Sequence, residues 1–387
     1  MTARPASEAT PSGKPRARAL GIPFAGTPGA LNAITDLPGL AVGYETLIHG
    51  DGALRTGHGP VRTGVTAILP RGRDGVGNPC AAGMVSLNGN GEMTGTAWIE
   101  ETGSLDLPIL ITNTHSVGAC HTGAIEWVVR HYPKLAEAWL LPVVGETWDG
   151  YLNDINGAHV KPAHALRAID AARPGAIEEG SVGGGTGMNC YAFKGGCGTA
   201  SRVVPYGPHR YTVGAFVQAN FGSRHELTIA GVPVGRELAD DNPMETRRQA
   251  APAGAGSVIA IVGTDAPLLP AQCKALARRV GMGLARTGTT GSHFSGDLFL
   301  AFSTGNEGAL KSRFSEGEPA KDEFDQLRFV PWGRMDPFYA AVAHAIEEAV
   351  VNALVANATM IGRDGHRTPA LPHDRLVALL RKRGVIS

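Results

Sequence analysis

From residue 231 to residue 256 the chain reads GVPVGRELADDNPMETRRQAAPAGAG and loses all periodicity; at Ser257 it resumes as Ser-Val-Ile-Ala-Ile-Val, the pattern of a buried strand. A break of this kind in mid-chain constrains the fold more than any other feature. A chain of 387 residues is long enough for one large domain or two. The charged, then small-residue composition of the stretch's second half, with the Arg247-Arg248 pair read as solvated loop charge, fits an exposed loop. Such a loop can join two domains or link strands of one core.

The flanks read as mixed α/β. Strands are expected at Val65–Leu69, Pro108–Thr112, the LLPVV segment, Tyr211–Ala219, Ser257–Val262 and Asp297–Phe302, with a weaker one near Leu227–Ile229. Asn88-Gly89-Asn90-Gly91 is turn chemistry. Helical spacing marks Thr122–Tyr132, Pro162–Ala172, a helix from Pro270 with Cys273, Leu276, Val280 and Leu284 on one face, a long helix from an Asp336 N-cap, and Asp374–Arg383.

Composition narrows the function. Lysine plus arginine equals aspartate plus glutamate at 35 each, which argues against nucleic acid as the main partner. Five cysteines without CxxC spacing fit reduced thiols and a cytoplasmic location. The N-terminus has no apolar stretch of signal-peptide length, no segment reads as a membrane-spanning helix, and residues 1–20 are expected to form a flexible polar tail.

Ser257 admits two readings. One is a strand-entry serine after a glycine turn. The other is a self-processing site: the hydroxyl attacks the Gly256 carbonyl, which glycine leaves sterically open. Cleavage then frees an α-amine of pKa about 7.7–8, a general base for the hydroxyl of the same residue.

Several motifs in order favour the second. RARALGIPFAGTPGALNAITDLPGLAVGYETLIHGDG, GPVRTGVTAILPRG, PVVGETWDGYLNDING, EGSVGGGTGM with FKGG, VGAFVQANFG, GSVIAIVGTDAPLLPAQCKALARRVGMGLARTG and SGDLFLAFSTGN run through nearly the whole chain. Together they resemble the L-aminopeptidase/D-esterase family of N-terminal serine hydrolases, which includes β-peptidyl aminopeptidases. The resemblance implies an α/β, four-layer αββα sandwich like N-terminal-nucleophile hydrolases but with different connectivity. It implies a single domain over 21–387, processed between Gly256 and Ser257 into subunits 1–256 and 257–387. Ser257 is then the nucleophile, Ser295 and Asp297 support it, and the Asn220 side-chain amide is an oxyanion donor. Glu146 receives the substrate ammonium, and Trp148 and Gly296 belong to the substrate site. Trp148 stands where tyrosine is expected, which points to a reshaped apolar pocket. Asp297 stands where some β-amino-acid specialists carry glutamate, which leans toward α-amino acids.

The expected reaction is hydrolysis of the N-terminal residue of short peptides, amino-acid amides or esters. Small residues (L-Ala, Gly, D-Ala amides and esters) are expected, through an aminoacyl-Ser257 intermediate. No cofactor or metal is expected, and the family implies a homo-oligomer, a tetramer of processed pairs. The alternatives are a β-peptidyl aminopeptidase, an acyltransferase of the ornithine acetyltransferase type (expected to expose threonine rather than serine), and a glycine-rich binding scaffold. Competing motifs are weaker. Gly183, Gly185 and Gly187 match neither Walker A nor GxGxxG. His115, Cys120 and His121 lack a convincing third metal ligand, and Cys190 and Cys197 lack a base that would make either a catalytic thiol.

Overall fold

The computed structural model describes residues 5–244, 256–312, 314, 317–319 and 321–387; the Arg247-Arg248 pair and the end of the aperiodic stretch lie outside them. In chain order the strands of its two main sheets are β1 (Ala41–His49), β2 (Val61–Leu69), β3 (Cys80–Ser86), β4 (Ser104–Leu105), β5 (Ile109–Asn113), β6 (Val143–Thr147), β7 (Gly196–Tyr206), β8 (His209–Asn220), β9 (Gly256–Thr264) and β10 (Ser295–Ser303). The helices that pack on them are α1 (Thr96–Thr102), α2 (Val117–His131), α3 (Pro162–Asp170), α4 (Pro270–Arg286), α5 (Asp336–Val355) and α6 (His373–Lys382).

One sheet runs β1-β2-β5-β6 and the other β4-β3-β10-β9-β8-β7, both mixed. Strands from before and after the aperiodic stretch therefore lie side by side. β9 pairs antiparallel with β8 and parallel with β10, in the middle of the larger sheet.

Alternation along each strand divides the core. On β9, Val258, Ala260 and Val262 join α4 and α5 in one apolar cluster. Ile259 and Ile261 point the other way, against Ile68, Ile109, Ile111 and Val143 of the smaller sheet. That sheet's opposite side, with Val65, Ala67 and Leu110, packs on Ala124, Trp127 and Val128 of α2 and Leu166 of α3. A strand buried on both faces needs apolar residues at every position, which is why the β9 and β10 segments read as continuous runs.

Four expectations are corrected. The N-terminal stretch is not a loose tail from residue 5 on. Arg16 is buried and reaches Glu179 Oε2 at 2.7 Å and the Thr199 carbonyl at 2.8 Å, and the Ser12 N–H and hydroxyl both donate to Glu178. The segment near Leu227–Ile229 is not a regular strand. A 3-10 turn at Arg224–Glu226 precedes an isolated Ile229–Val232 bridge, and burial of Leu227 and Ile229 explains the apolar signal. Met335, not Asp336, stands at the N-cap position of α5, with no side-chain capping hydrogen bond; Asp336 falls in the first turn. That helix is also long and apolar enough to cross a membrane by composition, against the reading that none is; but 78% of its apolar window is buried, and it packs on β7 and β8.

Candidate active site

Ser257 is the second residue of β9, opposite Asn220 at the end of β8 and opposite Gly296 near the start of β10. Three neighbouring strands thus bring three motifs together at one end of the sheet's middle. The approach is tight at Gly256: a Cβ there would lie 1.9 Å from the Asn220 carbonyl oxygen. Close backbone approach therefore requires glycine before the serine, a reason beyond the open carbonyl read from sequence. Ser257 is 2% exposed, and its hydroxyl donates to the Gly256 carbonyl oxygen at 2.6 Å. The hydroxyl is thus in contact with the peptide group it would attack.

The ladder of β10 begins at Ser295, so Ser295 and Asp297 share a face. Ser295 Oγ donates to Asp297 Oδ1 at 2.6 Å, and the Val258 N–H donates to the same oxygen at 3.2 Å. Asn88 holds the other side: its amide donates to Oδ2 at 2.9 Å and its side-chain oxygen accepts the Asp297 N–H at 2.6 Å. Burial raises the Asp297 carboxyl above its usual range, and the donors from Ser295, Asn88 and Val258 pull it back.

Asn220 has a fixed orientation. The Asn189 N–H, which can act only as a donor, points at Oδ1 at 2.8 Å, so Nδ2 must face the opposite way, where it donates to the Trp148 carbonyl at 2.8 Å.

Glu146 comes from the other sheet, on β6. It is buried, its Oε1 accepts the Glu92 N–H at 2.9 Å and its Oε2 accepts the Thr114 hydroxyl. Burial raises its carboxyl, the two donors opposing. A Cβ at Gly91 would lie 2.9 Å from the Gly296 Cα and 3.2 Å from Glu146 Oε1. The loop 88–92 therefore runs between Glu146 and the Ser295-Gly296-Asp297 segment. Trp148, two residues on, is 38% exposed, and its indole covers Gly150.

Sequence reasoning missed Asn88, Thr114, the Glu92 N–H and the Asn189 N–H. The signal for Asn88 is topological: β3 pairs antiparallel with β10, Ser86 opposite Leu298, so the turn that follows lands beside Asp297. The set-aside motifs have structural uses. The Gly183 and Gly184 N–H groups donate to Thr46 and Thr66 hydroxyls. Cys120 and Cys197 are buried and pushed up to about 12, and burial also pushes Cys190 up.

Residues 32–368 match the model of peptidase family S58. The chain is 50% identical over 376 residues to the beta-peptidyl aminopeptidase BapA of Sphingosinicella microcystinivorans, covering 95% of this chain and 92% of that one. Its fold is similar to that of an L-aminopeptidase D-Ala-esterase/amidase from Ochrobactrum anthropi, a prototype for the serine aminopeptidases and a variant of the Ntn hydrolase fold. The TM-score is 0.89 at 44% identity, over 97% of this chain and 100% of that one. A Burkholderia sp. beta-aminopeptidase is similar at TM-score 0.82 and 46% identity, over 95% and 99%.

Proposed function

The chain belongs to peptidase family S58 and is an aminopeptidase of that hydrolase family; we propose that it activates itself by cleaving the Gly256–Ser257 bond and then works through the new N-terminal serine. The observation that carries this reading is the Ser257 hydroxyl, 2.6 Å from the preceding carbonyl oxygen at the strand end shared with Asn220 and Ser295. Ser257 Oγ adds to the Gly256 carbonyl carbon. The peptide C–N bond breaks, the hydroxyl proton ends on the freed amine, and the acyl group is left on Oγ. Water then hydrolyses that ester, giving the Gly256 carboxylate and a free hydroxyl and amine on Ser257.

In turnover the amine takes the hydroxyl proton, Asn220 Nδ2 donates to the oxyanion, and Glu146 receives the substrate ammonium through charge-assisted hydrogen bonds. Ser295 stands opposite Gly256 and, tied to Asp297, orients the new terminus. An αββα layering is supported by the three apolar clusters, one between the sheets and one under each helical layer.

The substrate is a short peptide or amide with a free N-terminal β-amino acid. The 50% identity to a beta-peptidyl aminopeptidase over 95% of the chain favours this class. Small α-amino acids are the second reading, favoured by the short Asp297 carboxylate. Comparing β-alanyl and L-alanyl p-nitroanilides separates them: a higher kcat/KM for the L-alanyl substrate overturns the first choice. Processing is tested by intact mass under denaturing conditions. The wild type gives a fragment beginning Ser-Val-Ile-Ala, about a third of the 40.2 kDa chain, and Ser257→Ala stays whole. A wild-type chain that remains whole while hydrolysing amides overturns the mechanism.

A further inference from the structure

Lys194 is fully buried, forms no ion pair among the described residues, and has no part in the chemistry above. Its ammonium donates to the Met188 carbonyl at 2.6 Å and the Gly195 carbonyl at 2.8 Å. Burying a lysine with no carboxylate within ion-pair distance is costly, the Asp149 carboxyl acting on it only from farther off, so its placement calls for a reason. The Met188 carbonyl belongs to the same peptide group as the Asn189 N–H, and that N–H donates to Asn220 Oδ1. One rigid, planar unit thus joins the lysine to the amide read as the oxyanion donor.

We propose that Lys194 is a positioning residue for the oxyanion donor: by holding Met188 O it fixes and polarises the Met188–Asn189 peptide, which in turn fixes Asn220. This rests on the assignment of Asn220 above.

The hairpin around Lys194 supports the inference. Asn189 pairs with Lys194 and Cys190 with Phe193, so Tyr191 and Ala192 make the turn, both left-handed at φ 52° and 56°. Neither residue type favours that region, and strained turns of this kind persist only where surrounding contacts over-determine them. Those contacts are present. Arg224 donates to the Tyr191 and Ala192 carbonyls at 3.0 and 2.5 Å and lies over the Phe193 ring. The Tyr191 hydroxyl is 2.7 Å from the Thr287 hydroxyl. The Met188 carbonyl also accepts the Gly195 N–H at 2.9 Å, so both its lone pairs are used. Hydrogen bonds in such a chain polarise one another, so a donor on the carbonyl strengthens the N–H of the same peptide. Burial pushes Lys194 down to about 7. Either protonation state keeps the two N–H groups that the two carbonyls need.

The test is a double-mutant cycle on processed enzyme, with kcat expressed per mole of the subunit that begins at Ser257. Lys194→Met lowers kcat about tenfold at unchanged KM. In an Asn220→Ala background the same change has no further effect, because the peptide no longer has a donor to orient. Lys194→Gln, which keeps a neutral N–H donor, restores part of the loss and replaces the methionine variant if that one fails to fold. A lysine that only stabilises the fold would lower the melting temperature and leave kcat per processed site intact, which overturns the proposal, as does a full additive loss on Asn220→Ala. If Asn220→Ala itself leaves kcat unchanged, the assignment of Asn220 fails instead.

Discussion

Asn88 closes on Asp297 from two directions at once, accepting its backbone N–H at 2.6 Å and donating to its Oδ2 at 2.9 Å across 209 positions of sequence. The carboxylate that holds Ser295 is thus itself held by a turn that begins two residues after β3. Removing one hydrogen bond to a charged group costs about 1.5–3 kcal/mol. Asn88→Ala is therefore expected to lower kcat by about ten- to a hundredfold with little change in KM. Steady-state kinetics on processed enzyme check it, and wild-type kcat would show that Asp297 needs no such support.

A methyl group at residue 256 has no room, since it would sit 1.9 Å from the Asn220 carbonyl. Gly256→Ala must push β9 away from β8 where processing occurs, at a cost of about 1–3 kcal/mol. The uncut chain should accumulate, seen as a slower loss of the full-length band on denaturing gels over hours. Cleavage at the wild-type rate would mean that the pairing at Asn220 is not kept when the bond breaks.

How much of this was legible in the sequence depends on what each strand packs against. The β9 and β10 segments are buried on both faces, so Val258–Val262 and Leu298–Phe302 spell their structure plainly. β7 is hidden because its first half, residues 196–201, is built of small residues and Pro205 interrupts the second. A Cβ at Gly198 would lie 2.0 Å from the Ala349 carbonyl of α5, and a helix packed that closely leaves no room for the side chains that mark a strand. β3 is hidden the same way, Gly83 meeting the Lys274 backbone of α4. At the site, Ser257, Ser295 and Asp297 stand in contiguous motifs, whereas Asn88 acts through strand register, which local composition does not carry. The N-terminal stretch looked polar and loose because its contacts are ionic and distant in sequence.

Glu146 offers a separable readout. No ammonium precedes Ser257 in the uncut chain, so Glu146→Gln should process normally. It should raise KM by about ten- to a hundredfold, the worth of a charge-assisted hydrogen bond. Burial holds the Glu146 carboxyl above its ordinary range. The ionised form that pairs with an ammonium is therefore lost as pH falls through a value higher than that of a free glutamate. Calorimetric binding of a non-hydrolysable amine analogue should weaken on acidification in the wild type. The limb should vanish in Glu146→Gln, and a limb that persists there belongs to another group.

The ordered N-terminal stretch gives a test on stability alone. Arg16 and Glu179 are 3% and 1% exposed, and Glu179 also accepts the Thr199 N–H at 2.8 Å from β7. Burial raises the Glu179 carboxyl and the Arg16 guanidinium opposes it. Taking the cation away leaves a buried acid whose charged form has lost its partner, a change that costs about 3–5 kcal/mol. Arg16→Met in the uncut Ser257→Ala chain keeps both halves on one chain, so at matched protein concentration the cost reads as a lower urea midpoint. Raising the pH should deepen the deficit. Without Arg16 the folded-state pKa of Glu179 rises further above its unfolded value, and a carboxyl so shifted loses stability as pH climbs between the two. An unchanged midpoint would mean that residues 5–20 can detach from the domain without loss.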